Sequence, residues 1–453
     1  MAWVRGFRAA IARNVEPLLE AMHDEAHKAR WEAFTADILP LLAACAWTER
    51  NAKRLLGPQR VRGGAWWSIG QTHHIERVPI GRIGIIATWN YPVQLLGVQL
   101  VHALAAGNRV VVKPSERAPR TQALLLELAR TAGLPDGTLD ALPATREAGA
   151  AMLQHEEMDH LVFTGSTTVG RRIAEAAARR LLPTTLELSG RDTAFVLADG
   201  DIALAARTIW NAVTMNAGQT CMAPRRVLVG SRVYARFLDA LAPLAAGARP
   251  RRLIDSDAAA ACFECARGAV AAGGRSLSGV LESPRGDALV PVAVVDCPAD
   301  TALFRGEHFG PAVAVVPFNG MDDAIRLHAL GAGTQQLATS IFTRGRAAPK
   351  ELLSALACST ITINDCILPT ADPRATIGGV GQSGWGVSRG AAGLLAMTRP
   401  VHIAGTSRRV RLPIDTPIPS VASRLMRACL WTYGAGSSRA GVAAPNSING
   451  SDT

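Results

Sequence analysis

Aromatic side chains are scarce in this chain, at 5% of 453 residues, and that scarcity excludes a class of function. Nucleic-acid binders cluster basic residues with aromatics on one face. Here the arginines behind a net charge of +11 are spread along the whole chain, so no nucleic-acid partner is expected, and only a milder attraction to anionic membrane surfaces stays open. Long apolar runs are missing as well. No stretch approaches the roughly 18 apolar residues of a membrane span. The N-terminus, MAWVRGFRAAIARN, carries arginines throughout and has no apolar run of signal-peptide length. A cysteine framework is also lacking. Cys45, Cys221, Cys262, Cys265, Cys297, Cys358, Cys366 and Cys429 are scattered, and a chain of this size needs no disulfide staples. Cys262 and Cys265 have CxxC spacing without a second Cys or His pair nearby, so no metal is expected. Together these absences point to a reducing, intracellular compartment and a cytoplasmic location.

What is present suits a large α/β protein. Apolar residues make up 48%, charged residues 19%, and there are 42 glycines; the length suggests about two to four domains. Residues 2–60 read as helical, with Leu18, Leu19, Met22, Leu39, Leu41 and Leu42 on apolar faces. Ile83, Ile85 and Ile86 then mark a short buried strand, and NRVVVKPS a second one stopped by Pro114. TQALLLELARTAG is a helix closed by Gly133. DHLVFTGS and TVGRRIAEAAARR repeat the strand–helix pair. Strands that are apolar without alternation, separated by helices, predict a doubly wound parallel sheet. A second α/β block begins near residue 190, with strands in DTAFVLA, PAVAVVPF, SIFT and STITIN. Residues 245–285 are Ala/Gly-rich and carry no clear signal, and the last twenty read as a disordered tail.

Several short stretches carry chemistry. In NAGQTCMAPRR, Cys221 sits in a loop among small polar neighbours rather than inside an apolar element. That placement fits a nucleophile, a metal ligand or an accidental loop cysteine. In FTGSTTVG a buried strand delivers Gly165 and Ser166 to the start of a helix, where free N–H groups and the dipole suit phosphate; a plain strand–turn–helix reads equally well. Lys113 ends a strand just before Glu116, and the outer carboxyl end of such strands is where doubly wound sheets bind ligands. The alternative is a solvated strand end. Glu187 lies between two leucines in LELSG, so it is either paired or poised as an acid/base. Glu307 precedes Phe309 in GEHFGP, and Asn90 stands at a strand tip in TWNYP, where its amide can donate to an oxyanion.

The ordered set PIGRIGIIATWNYP, ALAAGNRVVVKPSE, FTGSTTVG, LELSG, NAGQTC, GEHFGP and NDC…GGVGQSGWG resembles the aldehyde dehydrogenase superfamily, over about residues 77–399. Length and TWNYP look most like its class 3 and coniferyl-aldehyde-dehydrogenase branch. The resemblance implies NAD as cofactor, with NADP tolerated, and a small-molecule aldehyde as substrate. Cys221 would be the nucleophile, Asn90 would help hold the oxyanion, and Glu187 would activate the hydrolytic water. Lys113 and Glu116 would hold the adenosine ribose, and Ser166, with Gly165 and Thr164, the pyrophosphate. Glu307 would bind the nicotinamide ribose, with Phe309 beside the ring and Trp89 in the cofactor cleft. A CoA-acylating relative and an inactive membrane-associated homologue are the alternatives. Such acylating relatives generally lack the glutamate, and an inert copy has no reason to keep Asn90, Glu187, Cys221 and Glu307.

The resemblance divides the chain into N-terminal helices and an NAD(P)-binding domain over 1–189, with part of an oligomerisation segment near 62–80. A catalytic domain would follow over 190–390, an oligomerisation strand over 391–410 and an amphipathic segment over 411–433. The strand-like RPVHIAG favours a homodimer. Ser420 can cap a helix ending at Gly434, whose basic, aromatic-tipped face over 420–433 either packs on protein or lies in a membrane interface. The substrate tunnel is expected near Tyr91, Trp210, Met215, Met222 and residues 368–377. Departures from the family pattern are Ser189 where a first glycine is usual, Gly306 for an acidic residue, His308 for an apolar one, and Ala375-Thr376-Ile377 at the mouth.

Overall fold

Val110, Val111 and Val112 are consecutive in one strand, yet they belong to different cores. In the computed structural model, which describes residues 1–64, 68, 70–345, 348–406 and 419–434, Val110 and Val112 pack with Phe7, Leu18, Leu96 and Leu125. Val111 packs with Met152, Leu161, Ile173 and Leu186. Successive strand residues point to opposite faces, so a sheet with helices on both sides demands apolar residues at every position. The absence of alternation in NRVVVKPS has this cause.

The sheet order is Leu139–Ala141, Arg109–Lys113, Arg82–Ile86, His160–Gly165, Thr184–Leu188 and Gly384–Trp385. The first five strands are parallel and the last is antiparallel to Thr184–Leu188. The chain begins in the middle of this sheet at Arg82–Ile86, builds outwards, and returns to the other side at His160–Gly165. Between those two strands lies the topological switch point, outside whose carboxyl ends a crevice must open. The second sheet runs Arg275–Ser276, Val292–Val295, Ala312–Phe318, Arg226–Gly230, Thr193–Val196, Ala338–Phe342 and Thr360–Ile363, parallel apart from the first. It too is covered twice: Val227 and Val229 face one core while Leu228 faces the other. The doubly wound α/β architecture expected from the sequence is therefore present, in two sheets.

Two local readings need correction, and one departure from the family pattern has a structural account. Residues 256–271, within the stretch that carried no clear signal, form the helix Ser256–Ala271. Alanine is the best helix former, and Asp255 caps the first turn by accepting from the Ala258 N–H at 2.8 Å. Ser420 is not the cap of the C-terminal helix, which starts one residue earlier and spans Pro419–Cys429, followed by a π turn at Leu430–Gly434; proline suits a first helical position. Ser189 meets no steric demand for glycine, because neither it nor Gly190 has positive φ. Gly190 is required for space instead: a Cβ there would fall 2.5 Å from the Asp192 carboxylate.

Contacts group the chain into two units. Both large sheets belong to the one formed by residues 1–58 and 76–401. The other, residues 59–75 and 402–453, pairs Gln59 with Ile75 and Arg60 with His74, and stacks His73 on His402. In its helix Met426, Leu430 and Trp431 are exposed. Residues 407–418, where the expected oligomerisation strand ends and the amphipathic segment begins, and the tail expected beyond residue 434 lie outside the described residues.

Candidate active site

Cys221 is placed by a loop held from several directions. Before it, Asn216 and Ala217 take left-handed φ of 52° and 53°, and Gly218 follows at 71°. A Cβ on Gly218 would meet the Gly310 carbonyl at 2.3 Å, so glycine is required there. The Asn216 amide donates to the carbonyls of Asn90 (2.8 Å) and Gln219 (3.1 Å), and the Glu32 carboxylate accepts from the Asn216 N–H. The buried Arg225 guanidinium donates to the carbonyls of Gly218, Thr220 and Gly310. Cys221 itself is half-buried, and the hydroxyl of its neighbour Thr220 shares a hydrogen bond of 2.6 Å with the Tyr91 hydroxyl.

The turn after Arg82–Ile86 brings Asn90 to this loop. Its Oδ1 accepts from the Thr88 hydroxyl at 3.0 Å and its Nδ2 donates to the Gln219 carbonyl at 3.1 Å. These two bonds set the amide's orientation and leave its second hydrogen uncommitted. Glu187 enters from a third element. The pleat of Thr184–Leu188 puts Leu186 and Leu188 into the core beneath Ile173 and Ala177 and turns Glu187 the other way, into a cavity of about 240 Å³. Burial pushes its carboxyl pKa up, and the Ser388 hydroxyl, the Arg389 guanidinium and the Thr164 hydroxyl pull it back only in part. Its Oε1 is buried without a hydrogen-bond partner.

That cavity collects most of the residues singled out in the sequence: Trp89, Asn90, Thr164, Gly165, Ser166, Glu187, Cys221 and Phe309 all line it. Asn90 follows one strand of the switch point, and Thr164 and Gly165 end the other just before Ser166, which explains their convergence. Ser166 caps the helix Thr167–Ala178 by accepting from the Val169 N–H at 3.3 Å. Trp89 meets Phe309 edge-on at 6.0 Å. Three residues stand apart from the cavity. Lys113, buried at the end of its strand, donates to Glu116 at 2.6 Å. Burial pushes Glu116 up, but this bond, a backbone N–H and the lysine charge outweigh it, so its pKa is held down. Glu307 lies 3.8 Å from Arg191 with much of its side chain exposed.

A second cavity of about 450 Å³ reaches Cys221 from the other side. Tyr91, Met215, Met222 and Leu368 line it, as expected of a substrate tunnel, but Trp210 does not. Trp210 packs into the core of the second sheet and borders a separate cavity beside Arg249 and Arg251. Sequence reasoning missed Arg389, which lines both cavities together with Cys221. The only signal for it was one arginine in a glycine-rich run. His308, unusual in its motif, is half-buried with its Nδ1 3.9 Å from the Cys262 sulfur, and desolvation of its ring holds its pKa well below the ordinary value.

Known proteins resemble this chain in sequence and in fold. A model of the aldehyde dehydrogenase family matches residues 1–403. The sequence is 32% identical to a 4,4'-diapolycopene aldehyde oxidase of a Methylomonas species, over 88% of this chain and 76% of that one. It is 27% identical to a coniferyl aldehyde dehydrogenase of a Pseudomonas species, over 94% and 90%. The fold superimposes on the substrate-bound state of Staphylococcus aureus AldH with a TM-score of 0.84 at 23% identity, covering 94% of this chain and 93% of that one.

Proposed function

The chain belongs to the aldehyde dehydrogenase family, and we propose that it oxidises an apolar aldehyde to a carboxylic acid through a covalent Cys221 adduct, with a nicotinamide dinucleotide as hydride acceptor. The observation that supports this most is the meeting of Asn90, Glu187 and Cys221, from three separate elements, at one cavity. The Cys221 thiolate adds to the carbonyl carbon, and the free amide hydrogen of Asn90 and the Cys221 N–H hold the oxygen as its negative charge develops. When bound, the cofactor supplies the acceptor for the hydride that leaves this carbon. Cys221 then carries a thioester. Glu187 removes a proton from water, the water oxygen adds to the acyl carbon, and the acid departs as the sulfur recovers its electron pair.

The cofactor fits the residues present. The helix start at Ser166 offers N–H groups to a pyrophosphate, the Lys113–Glu116 pair stands at a strand end, and Trp89 and Phe309 form an aromatic wall. The tunnel side, with Tyr91, Met215, Met222 and Leu368, suits an apolar aldehyde, and the names of the two relatives carry 4,4'-diapolycopene aldehyde and coniferyl aldehyde.

A panel of apolar aldehydes assayed for NADH formation tests this, with Cys221→Ala as control. Wild type should turn over several of them. The variant should lose at least about a thousandfold in rate and still bind NAD. Retained NADH formation in the variant would remove Cys221 from the reaction.

A further inference from the structure

Arg389 is a cation at the junction of the two cavities, and its own bonds do not account for its charge. Its Nη1 donates to the Thr370 carbonyl at 2.7 Å and its Nη2 to Gln94 Oε1 at 3.2 Å. Both acceptors are neutral, and among the described residues Arg389 forms no ion pair. A charge removed from water is ordinarily paired. The backbone adds a second observation. Arg389 has φ 62° and ψ 165°, a region that is essentially glycine's. It is held there because Ser388 and Ile377 exchange both backbone hydrogen bonds, at 2.7 and 2.9 Å. Gly390 follows at φ 59°, with no room for a Cβ against the Arg374 carbonyl. A strained backbone thus presents a guanidinium with no close ion pair to the cavity that holds both the sulfur and Glu187.

The groups around Cys221 show what such a charge can do. Burial works against its thiolate, and so do the Asp192 and Glu187 carboxyl groups; Arg389 and Arg225 work for it. Arg225 lies outside both cavities and donates to the three carbonyls beneath the loop. Arg389 is in turn faced by Glu187, Cys221 and Tyr91.

We propose that Arg389 is the positioning residue of the nucleophile: clamped by Thr370 and Gln94, its charge stabilises the Cys221 thiolate inside the cavity. The proposal rests on the reading of Cys221 as nucleophile. It also separates guanidinium from backbone, since a residue kept only for the turn would be better replaced by glycine.

The test is the rate of Cys221 alkylation by iodoacetamide, a neutral reagent whose iodide is displaced as the thiolate sulfur forms the new C–S bond. The modified peptide is followed by mass spectrometry across about pH 6.5 to 10, in wild type and in Arg389→Gln, Arg389→Lys and Arg389→Gly. Loss of the cation raises the thiol pKa. Burial pushes the wild-type thiol up to about 11, so in the variants that lack the cation rates fall across the whole of this range. In Arg389→Gln the rate at about pH 8 should drop roughly tenfold, a displacement of about one pH unit. Arg389→Lys should stay within about threefold of wild type, and Arg389→Gly, despite its easier backbone, should behave like Arg389→Gln. A Gln or Gly profile superimposed on wild type overturns the proposal. Should Arg389→Gln not fold, the pair Lys and Gly decides: slow Gly with fast Lys supports it, and fast Gly with slow Lys overturns it. Alkylation is read without any aldehyde, so activity surviving in Cys221→Ala would defeat the proposed reaction without altering the alkylation profiles, and the two failures stay distinguishable.

Discussion

Glu187 presents a carboxyl oxygen to a buried cavity without a donor to meet it, and two consequences follow at the scale of one residue. Its pKa is raised from 4.5, and a general base must be ionised. Turnover should therefore gain its acid limb above the ordinary carboxylate range and fall as pH drops through that raised value. Glu187→Gln should give an NADH burst of about one equivalent or less per site, followed by turnover reduced about a hundredfold or more. Unchanged steady-state turnover, measured spectrophotometrically, would place the base elsewhere. Stability runs the opposite way. A carboxyl group with a raised native pKa binds its proton more tightly folded than unfolded, so it costs stability as pH rises through that value. At about pH 8 the same variant should melt at or above the wild-type temperature, a combination expected of a functional group held against its solvation.

At the scale of elements, the N-terminal helices reach the site through a buried ion pair. Lys28 and Asp37 meet at 2.7 Å with both side chains fully buried. Asp37, in the π turn Phe34–Ile38, also accepts from the N–H groups of Val93 (3.2 Å) and Gln94 (3.1 Å). Lys28 covers the Tyr91 ring at 3.8 Å. The pair thus holds the segment between Asn90 and the helix Gln94–Ala105. Lys28→Met should leave Asp37 buried and uncompensated and cost about 3–5 kcal/mol, read from denaturant unfolding. A loss below about 1 kcal/mol would show that Asp37 is satisfied by Val93 and Gln94 alone. The sequence announced helices over residues 2–60, but it held no sign of this pair. Nine residues separate its members, and their partners lie some sixty residues away. The left-handed Asn216 and Ala217 escaped notice for a like reason. Asn216 is held by Glu32 and Asn90, which are its neighbours only in the folded chain.

For the whole molecule, a cofactor that binds only the folded protein stabilises all of it by mass action. NAD at about a hundred times its Kd should add about 2.7 kcal/mol. That should appear as a rise in the thermal midpoint of wild type and of Cys221→Ala alike. At equal concentration NADP should raise it less, because Glu116 carries negative charge near the expected 2′ position and its ion pair already occupies Lys113. Glu116→Gln should narrow the gap. A larger rise with NADP than with NAD would show that Lys113 governs the choice.

The sequence by itself determined the doubly wound architecture, because strands covered on both faces must be apolar at every position, as at Val110 to Val112. It also determined the chemical candidates, because glycines, cysteine and carboxylates in fixed local order are legible without coordinates. Tertiary structure alone decided which candidates meet. Asn90, Glu187 and Cys221 share a cavity, whereas Lys113 bonds to Glu116 and Trp210 turns into a core. Arg389 acquired its position in the same way. The reason is physical: a strand's apolar pattern is set by its own residues, but the field at a sulfur atom is summed over groups brought within a few ångströms by the closing of the fold.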